Sequence, residues 1–322
     1  MKFGYIDALR GYAIIGVLMV HSLAGESGIL GAQLLGLGAK GVQLFYMMSA
    51  LTLLLSYQNR KSERSPTTNF FLRRAYRIAP LFWVAIIYYT WHNYGIEHPV
   101  GDYQHVTIGS YLSHILLLHG FSPYWMNSLV PGGWSVGVEF MFYLTCPLWF
   151  VIIKNKAHAL SGFVTSYVIG QIAFTYLMKN PLIPYVDTWG GYMYAWLPSQ
   201  LQVFMMGFYC YYLISENIRY PVKEIVGCFT FLFMFEFLVM PMIFTSDYSA
   251  FNGLGINALV TLFFISFIIL VRNDPTKLLA HKAIQYVGRI SYSLYLVHFA
   301  VLSWLTRMAI DKPFNAPEAN YI

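Results

Sequence analysis

Residues 134–153 read WSVGVEFMFYLTCPLWFVII, an apolar run of twenty residues in which Glu139 is the one charged side chain. An α-helix needs about 20 apolar residues to cross the hydrocarbon core of a bilayer. The run therefore predicts a transmembrane helix. Its carboxylate lies about one and a half turns from the start of that helix.

The rest of the chain repeats this pattern. Eight further apolar stretches of similar length occur at residues 11–25, 38–57, 78–95, 160–178, 196–214, 225–244, 254–271 and 290–309. Only 11% of the 322 residues are charged, against roughly 25% in soluble domains, which excludes a soluble or disordered chain. We predict an all-α polytopic membrane bundle of about nine to ten transmembrane helices with a polar interior, forming one domain over residues 1–322.

The basic residues predict how the bundle is oriented. With nine spans and a cytoplasmic N-terminus, sixteen of the twenty Lys and Arg residues fall on the inner side, as the positive-inside rule requires. The net charge of +6 thus indicates membrane anchoring rather than a nucleic-acid surface. Residues 108–119 would reach only about 18 Å as a helix, so we expect a re-entrant or interfacial segment there.

Ionisable side chains inside a membrane are costly, and each one is a functional candidate. Asp7 lies one turn before Arg10 and can pair with it. His21 lies about 16 Å further along the same helix, within about 20° of the same face. The alternative is an interfacial arginine and a histidine that is hydrogen-bonded within the bundle.

Three arginines, Arg73, Arg74 and Arg77, precede the third apolar stretch on the predicted inner side. Guanidinium groups bind phosphates through paired hydrogen bonds, and Arg74 and Arg77 share a helix face. Ordinary positive-inside anchoring is the alternative. The buried carboxylate of Glu139 needs an arginine partner or a proton, or it fixes two helices together.

The last apolar stretch carries a polar stripe formed by Ser291, Tyr295 and His298, at spacings i, i+4 and i+7. Such a stripe is also typical of an interhelical hydrogen-bond seam. The histidines on the predicted outer side lack a metal-binding spacing, so we expect no metal.

Five segments, taken in order, resemble the motifs of the membrane acyltransferase 3 family. They are an Asp-x-x-Arg-Gly segment followed by a histidine (residues 5–11 and His21), a second-helix signature (41–49), an Arg-x-x-Arg segment (71–80), a Trp-Ser-x-x-x-Glu motif (134–139) and a Ser-Tyr-x-x-Tyr-x-x-His run (291–298).

The resemblance implies an integral membrane O-acyltransferase of the bacterial inner membrane. Such an enzyme moves an acyl group, commonly acetyl, from cytoplasmic acetyl-CoA to a hydroxyl of a cell-surface polysaccharide, lipid-linked sugar or related glycan. The resemblance implies Arg10 and His21 as the leading catalytic positions, with Glu139 and His298 completing the polar interior beside Asp7. It also implies that Arg73, Arg74 and Arg77 contact the phosphates of the donor.

His21 is expected to act as general base on the acceptor hydroxyl or to carry the acyl group transiently. The family usually has ten spans and this chain supplies nine, so a final C-terminal span is missing from the pattern. Any later step would need partner proteins, such as those that assemble envelope polysaccharides. The alternative from another class is a proton-coupled transporter or flippase of a small anion or lipid-linked sugar, since buried His, Glu and Arg residues also suit transport.

Overall fold

The computed structural model describes residues 3–23, 38–93, 106–216, 221–234, 251–274 and 276–308. Within these ranges the chain is helical and contains no strand. The twelve α-helices are α1 (Gly4–Leu23), α2 (Gly41–Arg60), α3 (Pro66–Asn93), α4 (Ile108–Ile115), α5 (Trp134–Ile152), α6 (Lys156–Lys179), α7 (Val186–Ala195), α8 (Leu197–Ser215), α9 (Val222–Met234), α10 (Phe251–Asn273), α11 (Lys282–Arg289) and α12 (Ser291–Arg307). The all-helical class predicted from the sequence is thereby confirmed for the described residues.

Two of the described helices are long and apolar enough to cross a membrane by length and composition. They are α5, with a mean hydropathy of 1.6, and α6, with a mean hydropathy of 1.2. Half of the α5 window is buried inside the protein, but only 17% of the α6 window is. Helix α5 therefore belongs to the interior of the bundle, whereas α6 turns most of its apolar surface outward. The count of nine to ten spans stays a prediction.

Several helices extend beyond the apolar stretches that predicted them. Helix α1 starts at Gly4, seven residues before its apolar stretch, and α3 starts at Pro66, twelve residues before. The extra turns carry charged residues, which an apolar window excludes although the backbone hydrogen bonds continue through them. As a result, Asp7, Arg10 and the three arginines of residues 73–77 all lie on helices. The second half of the predicted stretch 225–244 lies outside the described residues.

Helix α1 is central to the packing, because it contacts α2, α11 and α12. Its contact with α11 is especially close at Gly288, where a Cβ atom would collide with the backbone carbonyl oxygen of Asp7. Small residues allow helix backbones to approach in this way. The close approach fixes the end of α1 that carries Asp7 and Arg10.

Helix α12 is tied to α3 by hydrogen bonds. The hydroxyl of Tyr89 donates to the carbonyl oxygen of Leu296 (2.8 Å) and accepts from the amide of Ala300 (3.1 Å). The indole of Trp304 donates to the hydroxyl of Tyr88 at 2.6 Å. These bonds hold the two helices that face each other across the polar interior.

Candidate functional site

Five helices enclose a cavity of about 690 Å³, counting its open mouth. Helices α1, α2, α3, α5 and α12 each contribute at least one polar side chain to the wall. These polar residues are Arg10, Tyr46, Ser49, Arg77, Ser135, Glu139, Tyr143, Ser291, Tyr292 and Tyr295. The cavity therefore brings together three of the charged residues that the sequence singled out: Arg10, Arg77 and Glu139.

Glu139 is held by two short hydrogen bonds inside this cavity. Its Oε1 accepts from the hydroxyl of Ser49 on α2 at 2.5 Å and from the hydroxyl of Tyr143 on α5 at 2.5 Å. Hydrogen bonds to an ionised carboxylate are shorter and stronger than those between neutral groups. Glu139 thus ties α2 to α5 at the cavity wall, which Arg10 and Arg77 also line.

Arg10 joins α1 to α2. Its Nη2 donates to the Thr52 hydroxyl at 3.2 Å, and its Nη1 lies 3.9 Å from Asp7 Oδ1. The Arg10 side chain is only 17% exposed. Arg10 is thus positioned by α2 and by one turn of its own helix.

The three inner-side arginines have different surroundings. Arg77 is exposed and lines the cavity. Arg74 is half-buried, with its guanidinium carbon 5.9 Å from the ring centre of Phe70. Arg73 donates to Glu63 at 2.8 Å, and this hydrogen bond lowers the pKa of the Glu63 carboxyl. Arg77 is therefore open to a ligand in the cavity, whereas Arg73 is engaged at the surface.

The two candidate histidines lie together and do not themselves line the cavity, although His298 contacts the cavity residue Tyr295. The ring centres of His21 on α1 and His298 on α12 are 5.2 Å apart, and the ring of Phe299 packs against both at 4.6 and 4.1 Å. His298 is buried, and its Nδ1 lies 2.6 Å from the carbonyl oxygen of Tyr295. His21 is exposed. We call His21 and His298 the histidine pair, which the ring of Phe299 covers.

Tyr295 lies between the cavity and the histidine pair. Its hydroxyl donates to the carbonyl oxygen of Gly132 at 2.9 Å and accepts from the hydroxyl of Ser135 at 2.8 Å. Gly132 has a φ of +70°, and a Cβ there would lie 3.2 Å from both Phe299 and the Tyr295 hydroxyl. The turn that precedes α5 is thereby fastened to α12 at the boundary between the two regions.

Sequence reasoning did not assign Ser49, Tyr46 or Tyr143 to the site. Tyr143 follows Glu139 by four residues, so the i, i+4 helical spacing already indicated that the two side chains could meet. Tyr46 donates to the carbonyl oxygen of Ser135 at 3.2 Å, a contact across 89 residues. Such long-range partners are set by how the helices pack, and no local pattern shows them.

Metal-binding clusters of three or more His, Cys, Asp or Glu residues do not occur in the described ranges. His114 and His119 stack at 4.1 Å between ring centres, and Phe82 stacks on both. Each histidine uses one ring nitrogen on a backbone carbonyl, that of Ser110 or of Gly133. His98 and His105 lie outside the described residues.

Comparison with known proteins identifies the family of the chain. The acyltransferase domain model of the acyltransferase 3 family matches residues 3–320. The O-acetyltransferase OatA of Staphylococcus aureus strain NCTC 8325 / PS 47 is 23% identical over 319 residues, covering 92% of this chain and 50% of that protein. The figures for OatA of strain COL are the same.

The chain thus spans about half the length of the curated relatives it matches. No solved structure matches it. The family model covers almost the whole chain, and it includes every candidate site residue from Asp7 to His298. The chain therefore belongs to the membrane acyltransferase 3 family.

Proposed function

We propose that the protein is a membrane O-acetyltransferase of the bacterial inner membrane, with its N-terminus in the cytoplasm. It takes the acetyl group of cytoplasmic acetyl-CoA and transfers it to a hydroxyl of a cell-surface polysaccharide, lipid-linked sugar or related glycan. The observation that carries the proposal is the cavity in which Arg10, Arg77 and Glu139 converge, in a chain of an acyltransferase family.

The charge balance of the cavity supports an anionic donor. Two guanidiniums, those of Arg10 and Arg77, line it against the single carboxylate of Glu139. Arg74 lies one turn before Arg77 on the same helix and is half-buried. A surplus of arginines at a partly open cavity suits the phosphates of a coenzyme A ester. Arg77 at the exposed rim and Arg74 beside it bind these phosphates, and Arg73 contributes less.

Acyl transfer requires a base for the acceptor hydroxyl. In the proposed reaction the hydroxyl oxygen attacks the thioester carbon, its proton passes to His21, and the carbon–sulfur bond breaks. Coenzyme A leaves as a thiol after it takes up that proton. In the second variant, the imidazole of His21 attacks the thioester carbon, the carbon–sulfur bond breaks, and coenzyme A leaves as a thiol with the proton that the imidazole loses. The acceptor hydroxyl then attacks the acetyl-imidazole, and its proton returns to His21. His298, packed beside His21, orients it in both variants.

Glu139 supplies negative charge to the cavity that Arg10 and Arg77 also line. Asp7 and Thr52 hold Arg10 in place. The transport alternative, a proton-coupled transporter or flippase, uses the same buried charges, but the family match favours acyl transfer. Partner proteins of envelope-polysaccharide assembly carry out any later steps on the acceptor in this proposal.

The test is acetyl transfer by the purified protein in lipid nanodiscs, with acetyl-labelled acetyl-CoA and an envelope glycan fraction. Wild type and the control Glu224→Gln, which changes an exposed carboxyl on α9, should release coenzyme A and label the glycan. Glu139→Gln should lose about 10²-fold of this activity, because it removes the carboxylate that lines the cavity together with the guanidiniums of Arg10 and Arg77. Glycan movement across vesicles without acetyl-CoA would instead support transport and contradict the proposal.

A further inference from the structure

A second polar cluster lies at the N-terminal end of α2, on a different face from the cavity. We call it the amide cluster, and its members are Lys40, Gln43, Tyr194, Gln200 and Asn257. Gln43 Nε2 donates to the Tyr194 hydroxyl at 3.0 Å and to Gln200 Oε1 at 3.3 Å. Lys40 Nζ donates to the Tyr194 hydroxyl at 3.2 Å and to Asn257 Oδ1 at 3.4 Å.

The amide cluster has a buried floor and a partly open rim. Gln43, Gln200 and Asn257 are 0% exposed, whereas Lys40 and Tyr194 are half-buried. Buried amides without partners cost about 1–3 kcal/mol each, so polar groups are kept in such a place only when something satisfies them. Lys40 and Tyr194 at the rim are the two members of the cluster that solvent reaches.

Three hydrogen-bonding positions in the amide cluster are left for a ligand. Gln43 Oε1 and Asn257 Nδ2 are buried and have no hydrogen-bond partner among the described residues. The Tyr194 oxygen already accepts from Lys40 and Gln43, which leaves its own proton to donate. One acceptor and two donors are the complement of a hydroxyl group, which donates once and accepts twice.

The surroundings of the amide cluster add two features of a sugar site. The ring of Trp134 lies 6.4 Å from that of Tyr194 and 6.5 Å from that of Tyr46, which lines the cavity. An aromatic face beside a few fixed polar groups is typical of small-molecule sites. Lys40 makes no ion pair with an acidic side chain in the described ranges, so the rim suits neutral or anionic ligands.

We propose that the amide cluster is the acceptor subsite, which binds hydroxyl groups of a sugar ring. This inference rests on the proposed function, since it assigns the acceptor of the same reaction to a particular place. Lys40 belongs to the predicted outer side and Arg77 to the predicted inner side. Donor and acceptor thus approach from opposite faces, and Tyr46 and Trp134 lie between the amide cluster and the cavity.

The test measures sugar binding in the absence of acetyl-CoA, by saturation-transfer NMR on the protein in nanodiscs. The probes are methyl glucoside, methyl glucuronide and, as a cationic comparison, methyl glucosaminide. The variants Gln43→Met and Asn257→Leu keep side-chain volume but remove the free acceptor or donor. The matched control is Thr261→Val on the same helix as Asn257, because the buried Thr261 hydroxyl bonds only its own helix at Ala258.

We expect saturable signals from the neutral and anionic glycosides in wild type and Thr261→Val. Each cluster variant should weaken binding about five- to tenfold, the equivalent of one hydrogen bond. Absent signals would overturn the inference, and so would equal signals from wild type, the two cluster variants and the control. Either result would mean that the amide cluster binds water and no sugar. If glycosides bind as expected but acetyl-CoA is never consumed, the subsite stands and the proposed reaction fails.

Discussion

The cavity and the histidine pair share two helices, α1 and α12, yet their chemistry is opposite. Arg10 and His21 share α1, and Tyr295 and His298 share α12. The cavity is lined by charged side chains, and its carboxylate accepts short hydrogen bonds from two neutral hydroxyls. The histidine pair has no charged neighbour in direct contact in the described part of the chain, and an aromatic ring covers it.

This difference suits the two regions to two parts of one reaction, donor binding and group transfer. Fixed guanidiniums bind an anionic group but exchange no proton at neutral pH. An imidazole is the side chain suited to take and return a proton. We therefore assign donor binding to the cavity and proton or acyl transfer to the histidine pair, with Tyr295 at their boundary.

The largest expected effect comes from breaking the histidine side. His21→Ala should lower acetyl transfer by about 10²–10⁴-fold, the usual contribution of a general base. The control His158→Ala changes an exposed histidine on α6 and should retain full activity. Full activity in His21→Ala, measured with labelled acetyl-CoA, would remove the histidine pair from the reaction.

The next effect concerns the packing that positions Arg10 at the cavity. Gly288→Ala should destabilise the protein by about 1–3 kcal/mol, as overpacking does, because the added methyl collides with the backbone of Asp7. Thermal unfolding in nanodiscs measures the loss. Donor binding should weaken with it, since Arg10 lies on the displaced turn. Gly227→Ala, where a Cβ would meet nothing within 4 Å, is the control, and an equal melting temperature for the two variants would contradict the packing argument.

The boundary between the two regions gives a smaller effect. Tyr295→Phe removes the hydroxyl that bonds both Gly132 and Ser135. A loss of about tenfold in kcat is expected, equivalent to roughly one hydrogen bond, with the dissociation constant of acetyl-CoA unchanged. Tyr286→Phe, at an exposed tyrosine of α11, should change neither quantity. Weaker acetyl-CoA binding by Tyr295→Phe would show that Tyr295 takes part in donor binding instead.

The smallest effect concerns the surface pair Glu63–Arg73. The Arg73 hydrogen bond lowers the pKa of Glu63 in the folded protein. The pair therefore stabilises the fold fully above the unfolded pKa of about 4.3. This stabilisation is lost as the pH falls through the lower folded pKa. Melting temperatures of wild type should therefore fall more steeply below about pH 4 than those of Glu63→Gln. Parallel profiles would show that the pair contributes nothing to stability.

The sequence predicted the helical class and most of the individual elements, because apolar stretches and helix faces are local properties. Asp7 and Arg10 were paired from their i, i+3 spacing, and the two residues do lie 3.9 Å apart. Placing His21 beside His298 was beyond local patterns, since it depends on how α1 packs against α12. Likewise, Arg73 and Arg77 have different surroundings because of where Glu63 lies. The Arg-x-x-Arg spacing does not predict the position of Glu63.

The most direct measurement of the division is the dissociation constant of acetyl-CoA for two variants, read beside their transfer rates. Arg77→Ala should weaken donor binding about tenfold or more, whereas His21→Ala should bind acetyl-CoA like wild type and transfer almost nothing. Arg289→Ala removes an exposed arginine from the same predicted inner side and controls for lost charge. Equal donor binding in wild type and Arg77→Ala, or lost donor binding in His21→Ala, would contradict the division between cavity and histidine pair.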